Sequence, residues 1–179
     1  MPWLAPGYYR RYASPMTESF KVRVEGLQFD AAHFETFGDN TEPLHGHSYH
    51  VAAEVEGDLT PDSLVVDFVL LKTIIRGLCK QLDHRFLLQQ KSRKLQIEAG
   101  DASWKIKTRT GLRYVFPEQD VAALPIDNSS AERLSEWMVA NLWQALEARG
   151  VNNLRSITLD VYEGPGQRAS HRMERPRSN

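Results

Sequence analysis

The sequence predicts an α+β domain, in which helices pack on one face of an antiparallel sheet. The prediction rests on three segments with clear hydrophobic periodicity, at residues 20–30, 67–82 and 129–149. The first alternates apolar and charged residues, as a half-buried strand does, and the other two repeat at about 3.6 residues, as amphipathic helices do. Because 41% of the 179 residues are hydrophobic, the chain is long enough for one well-packed domain.

Three strands are expected to form the main part of the sheet. The alternation of residues 20–30 continues to His33, and a second alternating run covers about 44–56. We expect these two strands to pair as antiparallel neighbours. A third alternating run, at 154–162, follows the second helix and ends beside Glu163.

Each predicted helix carries a start signal. Asp67 precedes the first helix and is expected to cap it by accepting a backbone N–H bond. Ser129 and Glu132 have the spacing of a capping box at the start of the second helix, and Gly150 is the expected stop. Ser129 is therefore predicted to cap the helix and Glu132 to reach back to it.

Composition narrows the functional classes. A net charge of -1 and the lack of a basic stripe argue against nucleic-acid binding. No apolar run approaches the ~20 residues of a membrane helix, and the N-terminus lacks a signal-peptide pattern, so we expect no membrane partner. The single cysteine, Cys79, lies on or beside the apolar stripe of the first helix, which predicts a buried thiol and a reducing, cytoplasmic setting.

The predicted domain occupies residues 19–166. Residues 1–18 are expected to form an irregular arm, and residues 167–179 a basic, exposed and disordered tail. An insertion is expected at about 89–126, with a hairpin at 103–116 that extends the sheet or covers a neighbouring subunit.

A candidate metal site opens the second strand. His45 and His47 are two residues apart, so on a strand both imidazoles point to the same side. His33, at the end of the neighbouring strand, is the expected third ligand, and three protein ligands suit a catalytic zinc ion. The alternative, two surface histidines, stays open on these residues alone.

Two further groups of titratable residues are candidates for catalysis or binding. The adjacent Asp83 and His84 could form a proton relay, or simply end the first helix with a favourably placed histidine. Glu163, at a strand end, could accept two N–H groups of an aminopyrimidinone ring, or be a solvated glutamate.

Six sequence segments, in this order, resemble the family of 6-pyruvoyl tetrahydropterin synthases and 6-carboxytetrahydropterin synthases. They are FDAAH at 29–33, LHGHSYHV at 44–51, VVDF at 65–68, LDHRFLL at 82–88, SSAERL at 129–134, and Val161 to Glu163. The resemblance implies the tunnelling fold, in which sheets of several subunits join into a β-barrel. It also implies a homo-hexamer of two trimers with active sites between subunits, so that Glu163 could face the zinc of another chain.

The same resemblance implies the roles of individual residues. By it, His33, His45 and His47 hold a catalytic zinc ion, and Asp83 and His84 belong to the catalytic machinery. Hydroxyl residues at the start of the second helix, Ser129 and Ser130, contact the pterin substrate, and Glu163 anchors the pterin ring.

One departure from the family pattern concerns the residue that transfers a proton. Classical members have a cysteine shortly before the HGH motif, whereas residues 34–44 contain none and Glu42 stands there in an E-x-x-H-G-H arrangement. This resembles a glutamate-bearing subfamily and implies cleavage of the 7,8-dihydroneopterin triphosphate side chain to 6-hydroxymethyl-7,8-dihydropterin, with Glu42 as general base. Alternatives are a 6-carboxy- or 6-pyruvoyl-tetrahydropterin synthase, a catalytically silent pterin- or zinc-binding protein, and a merely solvated Glu42.

Overall fold

The computed structural model describes residues 19–176, so the arm predicted at 1–18 lies outside the described residues. A six-stranded sheet carries two helices on one face, and a separate three-stranded sheet packs on the other. The helices are α1 (Phe68–Leu82) and α2 (Ala131–Glu147). The strands are β1 (Phe20–His33), β2 (Thr36–Phe37), β3 (Asn40–Thr41), β4 (His45–Gly57), β5 (Arg85–Gln89), β6 (Leu95–Gly100), β7 (Ser103–Thr108), β8 (Arg113–Pro117), β9 (Val121–Leu124), β10 (Leu154–Gly164) and β11 (Gln167–Glu174).

The main sheet is mixed rather than wholly antiparallel as predicted. Its strand order is β11-β10-β4-β1-β5-β9, and the first four strands form antiparallel pairs. However, β5 runs parallel to β1, and β9 parallel to β5. Both exceptions follow long connections, through α1 before β5 and through the three-stranded sheet before β9. Connections of this length can bring the chain back to the end of the sheet where the neighbouring strand begins, and they therefore allow parallel pairing.

Helix α1 forms as its sequence predicts. Asp67 is its N-cap, and its Oδ1 accepts hydrogen bonds from the backbone N–H groups of Val69 and Leu70. The apolar stripe faces the sheet, and Cys79 is 4% exposed within it. Burial raises the pKa of the Cys79 thiol to about 12, so that the thiol stays protonated and unreactive at neutral pH.

Helix α2 begins differently from the prediction. Its N-cap is Ser130, whose side chain makes no capping hydrogen bond, and the predicted capping box of Ser129 and Glu132 is absent. Ser129 is fully buried, and its Oγ donates to the backbone carbonyl of Phe34 at 2.9 Å. The Ser129 hydroxyl thus donates its hydrogen bond to a buried carbonyl group of a distant segment. Local sequence spacing does not indicate such a partner.

The three-stranded sheet consists of β6, β7 and β8. The hairpin predicted at 103–116 is present as β7 and β8, with Trp104 opposite Phe116. Its inner face packs on β5, where Phe116 stacks on Phe86 with ring centroids 4.4 Å apart. Of the segment 89–126, where an insertion is predicted, Gln89 ends β5 and residues 121–124 form β9, and both of these strands belong to the main sheet.

Residues 167–174, predicted as part of a disordered basic tail, form strand β11 instead. It pairs with β10 as a hairpin through a turn in which Gly166 adopts a φ of 81°. The basic side chains that suggested a solvated tail have acidic partners on the sheet: Arg172 Nη2 lies 3.3 Å from Glu56 Oε2, and Arg168 Nη1 lies 3.8 Å from Asp160 Oδ2. Within residues 19–176, neither helix is long and apolar enough to cross a membrane.

Candidate active site

Three histidines converge on the helix-facing side of the β1–β4 pair. In the antiparallel register His33 lies opposite His45, and Ala31 lies opposite His47. Because side chains alternate along a strand, all three imidazoles share one face. Their ring centroids are 4.6 Å (His33–His45), 5.2 Å (His33–His47) and 4.9 Å (His45–His47) apart. One ring nitrogen from each lies within 4.8 Å of the others, so the three can hold one metal ion.

Backbone carbonyl groups fix the orientation of two of the rings. His33 Nδ1 lies 2.9 Å from the Ser129 carbonyl oxygen, and His45 Nδ1 lies 2.8 Å from that of Pro43. A carbonyl oxygen only accepts, so each Nδ1 carries the proton and each Nε2 keeps a lone pair. His33 Nε2 is buried without a hydrogen-bond partner in the described chain. Burial also lowers the pKa of His33 to about 4, which keeps the ring neutral, as metal binding requires.

The three histidines have the chemistry of a metal site. Three imidazoles, two of them oriented through their second nitrogen, match the ligand set and outer contacts of a catalytic zinc site. The orphaned Nε2 of His33 is the donor atom that such an ion would satisfy. The donor set therefore fits zinc.

Glu163 faces this triad from the end of β10. It continues the buried face of Val161, and its carboxylate, the carboxylate of Glu35 and a ring nitrogen of His33 lie within 4.8 Å of one another. By the family resemblance, Glu163 could face the zinc of another chain. In this structure Glu163 lies beside the histidine triad of its own chain. Its Oε1 is buried without a hydrogen-bond donor among residues 19–176, and burial raises its pKa.

Glu35 is a site residue that the sequence interpretation missed. It is half-buried in the link between β1 and β2. Burial, followed by the neighbouring charge of Glu163, raises its pKa to about 7. A signal was available: Glu35 follows His33 by two residues, so the alternation that pairs His45 with His47 also puts Glu35 on the face of His33.

Glu42 is held beside the site through the backbone of Glu35. The Glu42 N–H donates to the Glu35 carbonyl at 3.0 Å, and Glu42 Oε2 accepts from the Glu35 N–H at 3.3 Å. The charge of Glu42 contributes to the raised pKa values of Glu35 and Glu163. Its carboxylate is therefore close to the triad and to the other carboxylates, not isolated in a solvated loop.

Asp83 and His84 lie where α1 ends, beside the edge of β1 that pairs with β5. Asp83 Oδ1 accepts from the Asp30 N–H at 2.9 Å, and the His84 N–H donates to the Asp30 carbonyl at 2.6 Å. His84 Nδ1 is 3.1 Å from Asp83 Oδ1, and the His84 side chain is 80% exposed. The structure thus forms the predicted pair but does not bring it to the triad of the same chain.

The two serines of the predicted pterin contact also differ. Ser129 is completely buried and positions His33 through its carbonyl group, whereas Ser130 lines an open cavity. Beside His47 and Glu163 there is a second cavity of about 650 Å³, walled partly by the turn at 164–166. The hydroxyl of Tyr49 lies buried under the triad without a partner in the described chain. The site is rich in acceptors and poor in donors, which favours a ligand with several N–H groups.

Comparison with known proteins agrees with this arrangement. The family model described as 6-pyruvoyl tetrahydropterin synthase matches residues 21–174. A Methanocaldococcus jannaschii protein named as a candidate 6-carboxy-5,6,7,8-tetrahydropterin synthase is 33% identical over 149 residues, which cover 82% of this chain and 90% of the relative. A dihydroneopterin monophosphate aldolase of Pyrococcus furiosus is 42% identical over 59 residues, which cover 33% of this chain and 50% of the relative.

Solved structures are similar over most of their length. The Plasmodium vivax 6-pyruvoyl tetrahydropterin synthase superposes with a TM-score of 0.83 at 31% identity, covering 88% of this chain and 99% of that chain. A variant of the same enzyme, with a glutamate replaced by alanine, is named a catalytic residue mutant and also has a TM-score of 0.83, at 30% identity over the same shares of both chains. The mixed sheet with two helices is thus the tunnelling fold. Since the family match extends from the first strand of the main sheet to its last, this chain belongs to the 6-pyruvoyl tetrahydropterin synthase family and is a pterin enzyme of that type.

Proposed function

We propose that this enzyme cleaves the side chain of 7,8-dihydroneopterin triphosphate to give 6-hydroxymethyl-7,8-dihydropterin, with zinc as cofactor and Glu42 as general base. The observation that carries the proposal is the carboxylate of Glu42 beside the histidine triad, where no thiol is available. The only cysteine, Cys79, is buried in the core under α1 with its pKa raised to about 12 by that burial. This position supports Glu42 in the proton-transferring role that a cysteine has in classical members of the family.

His33, His45 and His47 would hold the zinc ion. When bound, the ion would supply Lewis acidity, which lowers the pKa of a hydroxyl group of the substrate side chain. The protein contributes the fixed tautomers of His33 and His45, which keep their Nε2 lone pairs available without rearrangement.

Glu163 would anchor the pterin ring. Its half-buried carboxylate, with Oε1 lacking a donor, suits two adjacent N–H groups of an aminopyrimidinone in a bidentate contact. Such a contact would orient the ring so that its side chain extends toward the triad. The buried, acceptor-rich surroundings also disfavour a ring that offers only acceptor atoms.

Glu42 would begin the cleavage by taking the proton of the side-chain hydroxyl on C2′. The C1′–C2′ bond then breaks, C2′ leaves as an aldehyde that carries the phosphates, and the electron pair passes through C1′ into the conjugated ring. Reprotonation of C1′ completes 6-hydroxymethyl-7,8-dihydropterin. Asp83 and His84 would assist this proton return.

The position of Asp83 and His84 supports an assembly of several copies. His84 is exposed, Asp83 is partly exposed, and neither contacts the triad of its own chain among residues 19–176, so the pair would serve the site of a neighbouring subunit. We therefore propose a homo-oligomer, a hexamer of two trimers, whose sheets join into a barrel. A cytoplasmic location is proposed with it, because the one cysteine is buried and unpaired.

The alternative is formation of a 6-carboxy- or 6-pyruvoyl-tetrahydropterin from the same substrate. It is supported by the M. jannaschii relative, which matches over most of its length under a 6-carboxytetrahydropterin synthase name. The match to the aldolase is higher in identity but covers a third of this chain. The two outcomes differ in the product, not in the binding site.

The deciding experiment identifies the product. Zinc-loaded protein is incubated with 7,8-dihydroneopterin triphosphate, and the pterins are identified by mass spectrometry. We expect a 6-hydroxymethyl product that Glu42→Ala abolishes and that the control Glu98→Ala, on the exposed face of β6, leaves unchanged. A carboxy or pyruvoyl product would establish the alternative, and pterin binding without turnover would indicate a catalytically silent protein.

A further inference from the structure

Three cationic residues cluster where the insertion begins. Lys91, Arg93 and Lys94 lie in the turn between β5 and β6 and line a cavity of about 880 Å³. The other residues that line this cavity come from the segment after β1 and from the start of α2. They include Thr36, Asn128, Ser130, Glu132 and Arg133.

The charges of this cluster are not neutralised within the described chain. Over residues 19–176, Lys91 and Arg93 have no carboxylate within ion-pair distance, and Lys94 Nζ contacts only the Thr36 carbonyl, at 3.2 Å. Arg133 is different, because Asp127 at 2.8 Å and Glu136 at 2.6 Å compensate its charge. Three uncompensated cations around one cavity create a positive potential that attracts an anion.

The turn that carries the cations is held rigidly. The Gln90 N–H donates to the Leu124 carbonyl at 3.0 Å, and the Lys91 N–H donates to the Ile126 carbonyl at 2.9 Å. Ser92 is largely buried beneath the turn. Since the backbone is fixed before a ligand binds, ligand binding needs to order only the side chains.

One buried side chain connects this turn to the metal site. Gln89, 1% exposed, accepts from the Ser129 N–H at 2.7 Å through Oε1 and donates to Thr36 Oγ1 at 3.3 Å through Nε2. The carbonyl of the same Ser129 accepts from His33 Nδ1. Thr36 and Ser130, which follow Glu35 and Ser129 in the chain, line the cavity, so the two sites are adjacent.

We propose that this cavity binds the polyphosphate tail of the substrate, with Lys91, Arg93 and Lys94 as its phosphate ligands. The inference rests on the proposed function and extends it. The surroundings of the triad are acidic, with Glu35, Glu42 and Glu163, whereas the adjacent cavity is cationic. A substrate with an N–H-rich ring at one end and several phosphates at the other matches both, and three cations suit a polyphosphate better than a single phosphate.

The inference also accounts for the position of the insertion. The three-stranded sheet packs on the opposite face of the main sheet from the triad, but its first turn reaches the rim of the site. The turn, rather than the hairpin that follows, is thus the part that contacts substrate.

The test measures binding of inorganic tripolyphosphate to the zinc-loaded full chain by titration calorimetry. We expect saturable binding that the double variant Lys91→Ala/Arg93→Ala weakens by about 100-fold, roughly tenfold for each lost charge-assisted contact. The matched control is Lys105→Ala/Arg113→Ala, which removes two cations from the far side of the three-stranded sheet and should leave binding unchanged. In turnover, the first variant should raise KM for the triphosphate substrate with kcat within about twofold.

Dihydroneopterin without phosphates separates this inference from the proposed function. Its binding should be the same in the wild type and in Lys91→Ala/Arg93→Ala. Normal turnover of the triphosphate with an unchanged KM in that variant would overturn the phosphate site and leave the proposed function intact. Conversely, tripolyphosphate binding that the variant abolishes, without any pterin turnover by the wild type, would support the anion site and reject the proposed reaction.

Discussion

Two regions of the molecule contribute to the same site by different means. The β1–β4 pair brings the histidines together through strand register alone, since His33 and His45 are directly opposite and His47 is two residues further along. The region behind His33 works through tertiary hydrogen bonds, in which Gln89 holds Ser129 and Ser129 orients His33. The first region determines which ligands meet, and the second determines how one of them points.

This difference separates what local sequence can determine from what it cannot. Register follows from alternation, because a slip of one residue would move the imidazoles to the other face of the sheet. The contact between Gln89 and Ser129 joins residues 40 positions apart and depends on how β5 packs beside β1. The two regions should therefore respond differently to substitution.

The largest effect is expected from removing a ligand within the strand pair. His47→Ala leaves two imidazoles, and because losing even an outer contact of a zinc ligand costs about 10- to 100-fold in affinity, losing a ligand should cost more than about 100-fold. Zinc content after gel filtration, measured by mass spectrometry, should fall from about one per chain to near zero, and turnover should disappear.

His50→Ala is the matched control on the same strand. His50 lies an odd number of residues from His47, is exposed and faces away from the triad, so zinc content should remain that of the wild type. If His50→Ala lost its zinc while His47→Ala kept it, the assignment of faces from the β1–β4 register would be wrong.

A smaller effect is expected from the region behind His33. Gln89→Leu keeps the approximate size of the side chain but leaves the buried Ser129 N–H without its acceptor and removes the N–H that Gln89 donates to Thr36 Oγ1. The free energy of unfolding should fall by about 2 kcal/mol, the cost of unpaired buried polar groups, and zinc affinity by about tenfold. Urea denaturation and competition with a chelator measure the two effects separately.

The neighbouring Gln90→Leu provides the control, because Gln90 is exposed and only its backbone takes part in the turn. Its unfolding free energy should change by less than about 0.5 kcal/mol. Equal effects of the two substitutions would show that the hydrogen bonds of Gln89 do not support the site.

The elements that the sequence predicted share the property that their signals are local. Strands β1 and β4, helix α1 with its Asp67 cap, and the hairpin of β7 and β8 all follow from alternation, a 3.6-residue period or a capping residue. The convergence of His33, His45 and His47 follows from the same alternation. Glu35, two residues after His33, follows from the same alternation but was not among the predicted site residues.

The elements that were missed depend on distant partners. Strand β11 looked like a basic tail because the partners of Arg168 and Arg172, Asp160 and Glu56, lie on other strands. Similarly, the parallel placement of β5 and β9 depends on how long connections cross the sheet. Ser129 has the spacing of a capping box, yet its hydroxyl bonds to Phe34, 95 residues away in sequence.

The smallest predicted effect compares the starts of the two helices. Asp67 Oδ1 accepts hydrogen bonds from two backbone N–H groups at the start of α1, whereas Ser130 at the start of α2 has no side-chain capping bond. Asp67→Ala should therefore lower the free energy of unfolding by about 1 kcal/mol, and Ser130→Ala by less than about 0.5 kcal/mol. Urea denaturation at constant m-value measures both. A loss at Ser130 as large as that at Asp67 would mean that the serine hydroxyl caps α2 after all, and that the start of α2 is set locally, like that of α1.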